Sequence, residues 1–110
     1  MNSRATPFIA CLFLLELLAA PASATTQVTD VRLWSGPEGT RVVLDLSASP
    51  EYKVFSLRNP DRVVIDLADT RMTMGGLLPA GQGPVHSIRS GTRPNNGTRL
   101  VLDLKSPQTP

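Results

Sequence analysis

One short phrase occurs three times in this chain. Arg41-Val42-Val43-Leu44-Asp45-Leu46, Arg62-Val63-Val64-Ile65-Asp66-Leu67 and Arg99-Leu100-Val101-Leu102-Asp103-Leu104 carry an Arg, β-favouring aliphatics, an Asp and a Leu at matching offsets. Such repetition marks an internally repetitive sheet protein. Side chains alternate across a strand, so Val42, Leu44 and Leu46 share one face while Arg41, Val43 and Asp45 share the other. The same division sends Val63, Ile65 and Leu67, then Leu100, Leu102 and Leu104, inward. These nine aliphatic side chains are expected to form most of the core.

The remaining segments supply partners for the three copies. Val28 to Trp34 alternates, with Val31 and Leu33 on one side and Asp30, Arg32 and Trp34 on the other, and a turn-rich Ser35 to Gly39 follows. Tyr52 to Leu57 reads as a strand joined to the second copy through Asn59-Pro60-Asp61, with Phe55 and Leu57 as expected core residues. Val85 to Arg89 reads as a short strand, and Asn96-Gly97 favours a tight turn into the third copy. Between them, the Gly and Pro content of 70–84 denies a long helix and predicts a crossover loop with at most one short helical turn.

Six strands in three hairpins, without an amphipathic helix to cover an open sheet, predict an all-β fold. The expected form is a small sandwich of two β-sheets built from hairpins.

The amino-terminal segment has a different character. Arg4 precedes a mostly apolar run from Phe8 to Ala20, and Ala22-Ser23-Ala24 matches the small-x-small cleavage pattern, so residues 1–24 read as a secretory signal peptide. Glu16 interrupts the apolar run, which is in any case too short for a standard bilayer span. No stable membrane span is expected once the signal is removed. Cys11 would leave with it, and the chain from Thr25 onward contains no cysteine. The expected division is signal 1–24, β-domain 25–105, and the start of a linker at 106–110, where Ser106-Pro107-Gln108-Thr109-Pro110 follows the last copy. Without disulfides, an exported domain of this size must hold by core packing and strand pairing.

From Thr25 onward, ten Lys and Arg face eight Asp and Glu. A balance this mild, together with export, argues against a nucleic-acid partner. Catalysis also finds little to use, since His86 is the sole histidine and no zinc-type ligand cluster, phosphate loop or serine elbow is visible. No cofactor, metal or catalytic residue is assigned.

The repeated Arg and Asp remain as candidates. Four positions apart, they lie about 13 Å apart along a strand, beyond mutual contact but within reach of neighbouring strands. One reading is a cross-strand charge ladder of Arg41, Arg62 and Arg99 against Asp45, Asp66 and Asp103. The other is a face that binds a large polar ligand, with Arg offering a fork for carboxylates and Asp accepting from hydroxyls or amides. Trp34 either stacks on a sugar ring or caps an edge of the core. Ligand-binding candidates are therefore Trp34, Arg41, Asp45, Arg62, Asp66, Arg99 and Asp103.

Val31-Arg32-Leu33-Trp34, then Thr40 to Leu46, then Phe55-Ser56-Leu57-Arg58-Asn59-Pro60-Asp61 leading into the second copy, resemble the AMIN domain. That module occurs at the amino terminus of Gram-negative periplasmic N-acetylmuramoyl-L-alanine amidases and near the start of type IV pilus secretins. The likeness spans about Val28 to Leu104, and Leu57 to Leu67 is its most specific part. It implies a two-sheet sandwich that attaches to peptidoglycan in the periplasm and concentrates its parent amidase at the division septum. An alternative is a protein-interaction module in a periplasmic division or type IV pilus secretin assembly. The zinc ligands and catalytic Glu of such enzymes belong to a separate domain, so His86 is not expected to do their work. A fragment of an amidase, a truncated reading frame and a stand-alone targeting module all fit this sequence.

Overall fold

The computed structural model describes residues 25–74 and 78–110. The expected signal peptide, with Cys11, lies outside the described residues. The described residues form seven strands: β1 (Thr26–Gly36), β2 (Gly39–Leu46), β3 (Tyr52–Leu57), β4 (Arg62–Leu67), β5 (Thr70–Met72), β6 (Val85–Arg93) and β7 (Gly97–Leu104). They form a three-stranded sheet of order β2-β1-β5 and a four-stranded sheet of order β3-β4-β7-β6. The fold is all-β, and three antiparallel hairpins, β1β2, β3β4 and β6β7, build most of it.

The inward faces pack as the alternation predicts. Val28, Val31 and Leu33 from β1 join Leu67, Val85, Ile88, Leu100 and Leu102 in one buried cluster. Val42, Leu44, Leu46, Val63, Ile65 and Leu104 are half-buried against it. The nine inward aliphatics of the repeats thus all reach the core. A register shift between Val28 and Asp30 lets both Val28 and Val31 point inward although they are three positions apart.

Strand β5 departs from the expected crossover loop. Its three residues pair in parallel with β1, Thr26 opposite Thr70 and Val28 opposite Met72. A segment so short has no visible periodicity, and its partner lies far away in sequence. Polar bonds fix it against the other sheet: the Thr98 hydroxyl donates to the Thr70 carbonyl at 2.6 Å, and the Thr70 amide donates to the Asn96 carbonyl at 3.1 Å. These buried threonines close one end of the sandwich with satisfied hydrogen bonds.

Two further expectations change. Strand β6 runs on to Arg93, so the β6–β7 loop is Pro94-Asn95-Asn96, with Asn95 and Asn96 in the left-handed region at φ 63° and 62°. Gly97 is therefore a strand residue. A Cβ there would sit 3.1 Å from the Leu67 carbonyl oxygen, so the close approach of backbones accounts for the glycine.

Phe55 and Leu57 are not core residues. Phe55 stands opposite Val64 and Leu57 opposite Arg62, which places both on the outward face of the four-stranded sheet. Val64 itself, expected on the exposed face, is 1% exposed. The large sheet therefore has a thin apolar layer on its outer side as well as its inner one.

Candidate functional site

The candidate residues divide between two surfaces. Sheet order puts the first copy of the repeat in the small sheet and the other two side by side in the large one. Since the sheets pack through their inner faces, Trp34, Arg41 and Asp45 lie on one side of the sandwich. Arg62, Asp66, Arg99 and Asp103 lie on the opposite side. They do not converge on a single site.

On the large sheet, β4 and β7 run antiparallel with Asp66 opposite Arg99 and Arg62 opposite Asp103. Arg99 donates through Nε to Asp66 Oδ1 at 2.7 Å and through Nη2 to Oδ2 at 2.8 Å. Its guanidinium also lies 5.8 Å from the centre of the Phe55 ring, within cation–π range. Phe55 and Arg99 flank Val64, and Val101 stands across from it on β7.

The second rung of the expected ladder is not made. Asp103 instead accepts from Arg89 at 2.6 and 3.0 Å and from the Ser87 hydroxyl at 3.2 Å. Arg62 turns back to the loop before it and donates to the carbonyls of Pro60 and Arg58. Arg89 sits on the far side of β7 and was absent from the candidates, because single-strand patterning cannot tell which strand adjoins which.

These bonds shape the titration of both carboxyls. The hydrogen bond from Arg99 holds the Asp66 carboxyl below its ordinary range against the opposing effect of partial burial, and the charges of Arg99, Arg93 and Lys53 add to it. The bond from Arg89 does the same for Asp103, with smaller help from Ser87 and His86. Both groups are therefore ionised and paired at neutral pH.

On the small sheet, β1 and β2 place Trp34 opposite Arg41 and Arg32 opposite Val43. Asp45 accepts from Arg32 Nη2 at 2.9 Å. Trp34 is 52% exposed, which decides against a ring that caps the core. Its ring lies over Gly36, where a Cβ would overlap it. Among the described residues, Arg41 has no carboxylate within ion-pairing distance.

Concave features also mark the surface, one of them beside Arg62 and another beside Asp66. A cleft of about 620 Å³ opens between β5 and the β6–β7 hairpin and is lined by hydroxyl and amide groups with Arg71 and Arg93 at its walls. A second groove of about 330 Å³ lies over Val54, Val63 and Ile65, where Gln108, Thr109 and Pro110 run alongside. In the neighbouring groove the Ser56 hydroxyl donates to the Gln108 carbonyl at 3.3 Å. Sequence patterning misses both, since each is formed by segments distant along the chain.

Among the described residues, no group of three or more His, Cys, Asp or Glu is placed to hold a metal ion. No described helix is long and apolar enough to cross a membrane.

A two-sheet sandwich of hairpins that repeats an Arg-aliphatic-Asp strand on both outer faces defines a class of small all-β module. The AMIN domain family model matches residues 30–110, and the chain belongs to that family. It is 35% identical over 104 residues to N-acetylmuramoyl-L-alanine amidase AmiC of Neisseria meningitidis serogroup B, covering 87% of this chain and 25% of the relative. It is 31% identical over 99 residues to the protein of the same name from Escherichia coli O6:H1, covering 86% of this chain and 24% of that relative. The chain thus spans about a quarter of the length of these curated relatives.

Proposed function

We propose that this chain is a non-catalytic, peptidoglycan-binding module of the periplasm that holds a cell-wall amidase at its substrate. The family match across residues 30–110, together with likeness to two amidases named for a bond in the wall, carries the reading. The geometry supports it. The molecule offers two exposed, cation-bearing sheet faces and open grooves, which suit an extended polymer lattice better than a small enclosed substrate. Retention at the wall raises the local concentration of an attached enzyme without any new catalytic contact. Enrichment at the division septum is part of the proposal.

Cosedimentation with purified sacculi tests wall binding. Residues 25–110 should pellet with sacculi and remain soluble without them. Recovery entirely in the supernatant, even at low salt, would end the reading. An exported fluorescent fusion should gather at mid-cell, whereas uniform peripheral signal would remove the septal component.

A protein partner in a division or pilus secretin assembly is the second reading, favoured by Tyr52, 72% exposed on the edge strand β3. One dominant periplasmic crosslink that survives wall digestion would support it over the glycan.

A further inference from the structure

We propose that Trp34 and Arg41 form a subsite for an N-acetylhexosamine ring that carries a nearby carboxylate. This rests on the wall-binding reading and specifies its ligand chemistry. The reason lies in what each candidate side chain is already doing. Asp66 is held by Arg99, Asp103 by Arg89, Asp45 by Arg32, and Arg62 by the carbonyls of its own loop. Recruiting any of these for a ligand draws on charge and hydrogen-bonding capacity already shared within the protein, at a cost in binding. Trp34 and Arg41 carry no such cost among the described residues.

The two are also placed to act together. They are direct partners across β1 and β2, so their side chains leave the same face about 5 Å apart at Cβ. Gly36, on the same face two residues beyond Trp34, leaves room for the indole to lie flat toward the hairpin turn. A half-exposed indole offers an apolar plane to the C–H face of a pyranose. Arg41 offers a planar pair of donors whose shape matches a carboxylate. A neutral sugar would use the first group and leave the second idle. A ring with an adjacent acid would use both.

The wall contains two sources of this chemistry. One is the lactyl group of muramic acid, whose carboxylate is free only where the stem peptide has been removed. The other is an acidic residue of an attached stem peptide.

Trp34 is the only tryptophan, so its emission reports on the subsite directly. Residues 25–110 would be titrated with N-acetylmuramic acid, N-acetylmuramoyl dipeptide and N-acetylglucosamine. At least one acidic sugar should shift or quench the emission saturably, with affinity about tenfold above that for N-acetylglucosamine. Preference for the free acid assigns the lactyl group, and preference for the dipeptide assigns the stem; either supports the shared chemistry. Arg41→Ala should abolish the preference and Arg41→Lys should recover part of it, both with unchanged circular dichroism. Trp34→Ala and Arg41→Ala should each weaken sacculus binding more than Arg71→Ala in the β5–β6 cleft.

Equal response to all three sugars, or none, overturns the subsite. So does sacculus binding that survives in Trp34→Ala and Arg41→Ala or is lost in Arg71→Ala alone. Failure of the unmodified chain to pellet with sacculi is a different result, because it removes the wall-binding reading itself.

Discussion

Asp66 on β4 and Arg99 on β7 stand opposite each other, and their side chains meet at two points, 2.7 and 2.8 Å apart. The Asp of the second repeat is thus neutralised by the Arg of the third. Antiparallel neighbours bring opposite ends of two similar phrases together, so the repeat supplies its own ion pair. The first copy, in the other sheet, has no such neighbour, and its Asp45 takes Arg32 from a strand outside the repeat.

This difference is measurable in a pair of double-mutant cycles. The Asp66–Arg99 side chains are 20% and 31% exposed, whereas Arg32 and Asp45 are 60% and 44% exposed with one short contact. Two-point, less solvated pairing should give Asp66–Arg99 about twice the coupling of Arg32–Asp45. Urea unfolding of the single and double alanine variants of each pair supplies the comparison. Equal coupling would show that solvent screens both pairs alike.

Acid should expose the same pairs. Asp66 and Asp103 titrate below the ordinary carboxylate range in the folded protein, chiefly through the bonds from Arg99 and Arg89. A depressed folded pKa contributes stability that is fully present above the unfolded value, about 3.9, and is lost as pH falls through the folded one. The thermal midpoint should therefore fall as pH drops below about 4. Asp66→Asn with Asp103→Asn should be less stable at neutral pH and show a shallower acid decline. An identical acid slope in the double variant would assign the decline to other groups.

Period-two patterning made the inward faces of β2, β4 and β7 legible, because a single shift in parity would bury Arg and Asp. It made Phe55 ambiguous. Tyr52-Lys53-Val54-Phe55-Ser56-Leu57 has apolar residues on both parities, and the choice between them is made by the register Phe55–Val64 rather than by composition. Burial of Val64 was hidden for the same reason, since its cover includes Phe55 from β3, with Arg99 from β7 over that ring. Six of the seven candidate positions were visible as a repeated pattern, and Trp34 as an aromatic of outward parity on β1. Which were already engaged was not, because Arg89, Arg32 and the Pro60 carbonyl occupy other elements.

The outer apolar layer predicts a specific cost. Val64 is 1% exposed although its parity is that of the charged residues, whereas Val43, its counterpart in the first copy, is half-buried. Val64→Ala removes two buried methyl groups and should destabilise by roughly 2 kcal/mol. Val43→Ala should cost less than about 1 kcal/mol, because part of its surface already meets water. Denaturant midpoints of the two variants decide the matter, and equal losses would mean that the roof over Val64 does not persist in solution.

Gly36 offers a way to move the Trp34 ring without altering its chemistry. A Cβ on Gly36 would occupy the space of the indole, and the ring is the exposed end of a flexible side chain rather than backbone. Gly36→Ala should therefore leave the β-sheet circular dichroism intact and keep the denaturant midpoint within about 0.5 kcal/mol of the parent in stability terms. Trp34 emission should shift to the red as the ring swings from its seat into water. Sugar-dependent quenching should weaken alongside it. Unchanged emission would show that the indole does not rest on Gly36, and retained quenching would show that the platform does not need that seat.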